Sequence, residues 1–254
     1  MRVNQIISED ADSDVAAYSV ANGIMSALIN HLCNADPKSF YGFKAMRFSD
    51  GEVMLTLRGS DIGLTDDDAA LWFRFGKMRG YTPNGHIAKF KTSRETAITI
   101  FCLDDLNDVA AAAKAIIYRR PVHDVLIHEL THYLDIKRSS KVQDEERDEQ
   151  NGSNNYFNSP EEFNAYFTNV AGPWLHFLDV AKDLDQTDIE AMAKGLGIDR
   201  DFNVSLKKLI QKLSEKPNPA MKKFWGVLRQ DRHRSILKRL YALHQKIITV
   251  LSLP

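Results

Sequence analysis

The sequence predicts an α+β fold, and three patterns carry that expectation. Five short runs between Lys44 and Leu103 read as strand candidates, the first two joined around an Asp-Gly turn. They predict a small, mainly antiparallel sheet. The stretch from Val122 to Ile136 contains no glycine or proline and its apolar residues fall at helical spacing, and a further helix starts at Pro160, which together predict two prominent helices. The chain from Thr187 to Leu253 reads as several more helices. Residues 1–182 are expected as one core that includes an N-terminal helix. Residues 183–254 are expected as a helical subdomain packed on it.

The elements follow in order. Ser13 to Leu32 has Val15, Tyr18, Ile24, Leu28 and Leu32 among its apolar positions, an amphipathic helix pattern. Lys44 to Phe48 and Glu52 to Arg58 flank Asp50-Gly51, the signature of a hairpin turn. Leu71 to Phe75, His86 to Phe90 and Thr96 to Phe101 are further strand candidates. The middle segments also admit a helical reading, since Asp66-Asp67-Asp68 would suit a helix N-terminus. Asp105 to Tyr118 is alanine-rich and strongly helix-forming. Pro121 fits the first turn of the next helix. Lys141 to Asn158 is polar and reads as a solvated loop, with a lid or calcium site at 143–155 as the alternatives. Ser159 is an N-cap candidate and Pro160 starts another helix. Gly172-Pro173 is expected to kink or break it.

Bulk properties exclude several classes. The chain has 254 residues, 44% of them hydrophobic and 26% charged, with a formal net charge of -1. These are ordinary values for a globular protein and give no global argument for an anionic partner. The two cysteines, Cys33 and Cys102, are far apart and form no disulfide framework or CxxC pair. They fit reduced thiols in a cytosolic setting. The first residues lack the apolar region of a signal peptide, and no run reaches the roughly 18 apolar residues of a membrane span. A cytoplasmic location follows as the expectation, with no membrane partner; packaging into a virion is the other route compatible with it.

His128-Glu129-Leu130-Thr131-His132 carries the chemistry. Residues i and i+4 of a helix lie one above the other. Two imidazoles at this spacing can reach one zinc ion, and Glu129 can reach a water beside it. A catalytic zinc keeps three protein ligands and one open position. The extended motif HExxHxxGxxH would supply the third from the same segment. Here Asp135 stands at the glycine and Arg138 at the third histidine, so that arrangement is excluded. The third ligand must then come from elsewhere in the chain, and Glu161 and Glu162 on a following helix are the candidates. Adjacent helical residues point about 100° apart, so one of the two reaches the metal. Glu162 is the first choice and Glu161 the second.

His128 to His132 and the Glu162-Phe163-Asn164-Ala165 segment together resemble gluzincin-type metallopeptidases, a zincin-like group that includes thermolysin and anthrax lethal factor. The second segment resembles that group's E-x-x-A helix. The resemblance implies a zincin-like fold, a Zn2+ cofactor, His128, His132 and Glu162 as its ligands, and a protein or peptide substrate. It covers those two segments only, so substrate preference does not transfer. The polar leader Arg2 to Glu9 resembles the starts of large tailed-phage proteins.

The roles follow from the chemistry. Zinc would lower the pKa of a water towards about 7 and polarise the scissile carbonyl. Glu129 would take the water proton and pass it to the leaving amine. Tyr156 is the candidate donor to the developing oxyanion, against the alternative of a plain loop aromatic; Tyr166 is the weaker candidate. Asp135 either orients a ligand histidine or pairs with Arg138 or Lys137. Asn164 and Asn169 are further supporting candidates. Thr96 to Phe101 is the candidate strand for strand addition by an extended substrate, against a plain interior strand. The other histidines, His31, His86, His123, His176, His233 and His244, read as packing or surface residues.

Three functional classes follow. The first is a zinc-dependent peptidase. The second is a non-catalytic zincin-like module that binds a partner or forms part of a virion. An intact Glu129 favours the first, because a structural metal has no use for a general base. The third is a protease tethered to nucleic acid by the basic stretch from Glu215 to Pro254. Apolar residues recur there at helical spacing, so a core stripe with a solvated basic face accounts for it and nucleic acid is not the favoured partner.

Overall fold

A computed structural model describes residues 3–34, 46–47, 53–58, 70–77, 84–89, 96–102, 114, 116–118, 120–139, 157–215 and 219–252. Side chains are described at 11–30, 33, 98, 114, 116–118, 121–135, 157–215 and 223–252. The elements are α1 (Val3–Asn34), β1 (Met46–Arg47), β2 (Val53–Arg58), β3 (Ala70–Lys77), β4 (Asn84–Lys89) and β5 (Thr96–Cys102). There follow α2 (Arg120–Ser139), α3 (Pro160–Val180), a 3-10 turn (Ala181–Asp183), α4 (Gln186–Leu196), α5 (Phe202–Glu215), α6 (Pro219–Val227) and α7 (Gln230–Leu251).

The expected α+β, zincin-like fold built on a mainly antiparallel sheet is corrected. Of the residues with described side chains, 89% are helical and 1% are strand. The physical reason lies in the core. Among the described residues, the buried apolar side chains stand on helices, apart from Ile98 and Phe157 and Leu228 at helix approaches. Strand candidates between Lys44 and Leu103 weighed heavily in the sequence reading, yet helix-on-helix burial dominates the described molecule.

Two compact units make up the chain: residues 1–19 with 144–254, and residues 20–143. In the second unit, the strand backbones pair in the order β1-β2-β3-β5-β4. β1–β2, β2–β3 and β4–β5 are antiparallel, and β3–β5 is parallel. Met46 stands opposite Met54, and Phe73 opposite Ile98. β5 therefore has a neighbour on both sides. Its expected role in strand addition is corrected, because a strand without an open edge has no backbone groups to offer a peptide. α2 packs against β4 and β5.

The first unit is built on α3 and α7, which pack against each other. Phe163, Phe167, Val170, Trp174 and Phe177 of α3 are buried, as are Ile236, Leu240, Leu243 and Ile247 of α7. Each series falls at helical spacing and forms one continuous stripe. Burying each of these side chains stabilises by about 1.5–3 kcal/mol. α1 starts at Val3 rather than near Ser13, since no glycine or proline interrupts the chain before Gly23. α3 continues through Pro173 to Val180, where a break was one expectation. Buried Trp174, Leu175 and Phe177 on its far side offset the lost backbone bond.

Gly197 ends α4 at φ 76°, the left-handed conformation expected of a helix-terminating glycine. A Cβ there would lie 2.6 Å from Cδ of Lys208. No helix among the described residues is long and apolar enough to cross a membrane.

Candidate metal centre

The HExxH segment lies in the middle of α2. From Leu126 to Tyr133, eight consecutive residues are buried. A surface helix would expose every second or third of them. Here His128, Glu129, Thr131 and His132 are only 5–7% exposed. Burying such polar groups is costly unless each finds a partner. Thr131 finds one locally, its hydroxyl donating to the Ile127 carbonyl at 2.8 Å. The helical i,i+4 spacing brings the two imidazoles together, with ring centroids 4.7 Å apart and planes at 87°. Their Nε2 atoms are 3.1 Å apart.

Glu162 stands in the first turn of α3. Ser159 caps that helix in an extended conformation (φ -62°, ψ 148°), and its hydroxyl accepts from the Glu162 backbone N–H at 3.4 Å. Pro160 follows with a preset φ, and Glu161 and Glu162 place carboxylates at the positive end of the helix dipole. Remote residues also hold this turn. The Asn158 side-chain amide donates to the Val227 carbonyl at 3.1 Å and accepts from the Arg229 N–H at 3.0 Å. Arg232 donates to the Asn158 carbonyl at 3.1 Å. Arg239 donates to the Asn164 side-chain oxygen at 3.0 Å.

One ring nitrogen from His128, one from His132 and one carboxylate oxygen of Glu162 all lie within 4.8 Å of one another. This group could hold a metal ion. The donor set fits: two nitrogens on one tetrahedral zinc-like ion are about 3.3–3.4 Å apart, near the spacing of the two imidazoles. Glu162 belongs to the group and Glu161 does not.

The other site candidates fall as follows. Glu129 is buried in the same turn of α2 as His128. Tyr156 and the loop at 143–155 lie outside the described residues, as do the side chains of Lys137 and Arg138. The Tyr166 ring stacks on Phe224 at 5.0 Å and meets the Phe157 ring edge-on at 5.0 Å. The Asn164 side-chain oxygen accepts from Arg239. Asn169 is buried on α3.

Among the other histidines, His244 is fully buried, with Nε2 2.7 Å from the Asp199 carbonyl and 3.2 Å from the Ser205 hydroxyl. His233 stacks on Trp225, and His176 meets Tyr18 edge-on. Asn158, Arg232 and Arg239 carry no local sequence signal, because each contact joins residues 69–75 positions apart.

Comparison with protein-family models, with curated proteins and with solved structures gives no match.

Proposed function

We propose that this chain is a zinc-dependent peptidase. One observation carries the reading: the metal-ligating atoms of His128, His132 and Glu162 gather within 4.8 Å, and buried Glu129 stands beside the first of them. Two imidazoles and one carboxylate make the donor set of catalytic zinc, which leaves a fourth position for water or substrate. Bound there, zinc supplies Lewis acidity towards a water and a scissile carbonyl.

The protein's own residues do the rest. His128 and His132 present ring nitrogens from one helix face, and Glu162 contributes one carboxylate oxygen. The Glu129 carboxylate accepts a proton from the attacking water and delivers it to the leaving amine nitrogen. Burial of Glu129, His128 and His132 keeps bulk water from screening these interactions. A protein or peptide is the substrate class, and a cytoplasmic setting agrees with two widely separated cysteines.

The test is peptide hydrolysis by the zinc-loaded chain on a mixed peptide library, read by mass spectrometry beside Glu129→Gln. Cleavage that a chelator abolishes, and that Glu129→Gln lacks while keeping its zinc, is the expected result. Zinc binding with equal, negligible cleavage by both proteins would leave a non-catalytic binding module.

A further inference from the structure

We propose that Asn158, Arg232 and Arg239 are positioning residues for the Glu162 carboxylate. The inference rests on the metal-site reading above and concerns how the third ligand is held.

Glu162 sits between two pinned residues. On its N-terminal side, the Asn158 side chain bridges Val227 and Arg229 where α6 gives way to α7, and Arg232 closes on the Asn158 carbonyl. On its C-terminal side, Arg239 binds the Asn164 amide oxygen. The rings between and beyond are also covered. The Arg232 guanidinium lies 4.7 Å from the Phe163 ring centroid, and that of Arg239 lies 3.6 Å from the Phe167 centroid.

Arg239 is itself anchored. Asp14 of α1 receives two of its nitrogens, at 3.0 and 2.5 Å, and both side chains are largely buried. Its planar fork thus serves Asp14 and Asn164 at once, which a lysine ammonium cannot do with the same geometry.

A helix start needs a cap, and Ser159 already provides one. The further contacts cluster on the residues that flank Glu162. A ligand must be held to within about 0.5 Å of its productive position. A carboxylate at a helix end, where backbone bonds are fewest, gains most from such support.

The experiment measures zinc affinity, by competition with a chromophoric chelator, for Asn158→Ala, Asn164→Ala and Arg239→Lys. Each is made in the otherwise native chain and again beside Glu162→Ala. Positioning predicts roughly a tenfold or greater loss of affinity in the native background, and no further loss once Glu162 is gone. The visible spectrum of the cobalt-substituted protein should change with Arg239→Lys. Unchanged affinity, or an equal loss in both backgrounds, would mean that these contacts only join helices and would overturn the proposal. Asn164→Ala removes the amide that Arg239 binds and leaves the Arg239–Asp14 pair in place, so it decides the question if Arg239→Lys does not fold. Should Glu162→Ala itself leave zinc affinity intact, the metal reading falls and takes this inference with it. Should Glu162→Ala weaken zinc while the three variants do not, the positioning inference alone fails.

Discussion

α2 carries His128 and His132, α3 carries Glu162, and the two helices hold these side chains in opposite ways. On α2 both histidines come from a single helical repeat, which brings their Nε2 atoms to 3.1 Å. On α3 the glutamate sits in a first turn fastened by Asn158, Arg232 and Arg239, through bonds that reach about 70 residues along the chain. Local geometry suffices for a pair of ligands at i and i+4. A ligand at a helix end depends on tertiary packing.

The largest effect expected is chemical and lies on α2. Glu129→Gln should retain zinc and lower peptide hydrolysis by about 10²–10⁴-fold, the usual range for a general base. Full activity in that variant, measured on any peptide the native protein cleaves, would remove Glu129 from the mechanism.

Next comes the packing that sets α3. Phe167 is fully buried beneath Arg239. Phe167→Ala should cost about 3–5 kcal/mol in denaturant unfolding. A loss below about 1 kcal/mol would show that α3 is held by local forces after all.

Gly197 gives a local counterpart. Alanine there must adopt a left-handed conformation, which costs roughly 1–2 kcal/mol, and its Cβ would crowd Lys208. The same unfolding measurement should show a loss of at least that size.

Ser159→Ala should have the smallest effect. Caps contribute about 0.5–2 kcal/mol, and a 3.4 Å contact belongs at the low end. A loss as large as that of Phe167→Ala would erase the contrast between the two helices.

The same contrast explains what the sequence disclosed. His128 and His132 were legible because five consecutive residues encode their geometry. Ser159 and Pro160 were legible because capping is local. Asn158 and Arg239 were not, since no spacing rule links an arginine on α7 to an asparagine on α3. Arg232 and Arg239 entered the sequence reading as part of a basic face, yet both are half-buried against phenylalanine rings. The fold class went astray for a related reason. Strand-like segments announce strands one by one, whereas the share of the core that helices supply depends on which faces meet.

The most direct test is zinc per chain, by elemental mass spectrometry, on the native protein beside Glu162→Ala. A His-His-Glu centre predicts about one zinc in the native chain and much less in the variant. No zinc in a folded native protein supplied with it would contradict the centre outright.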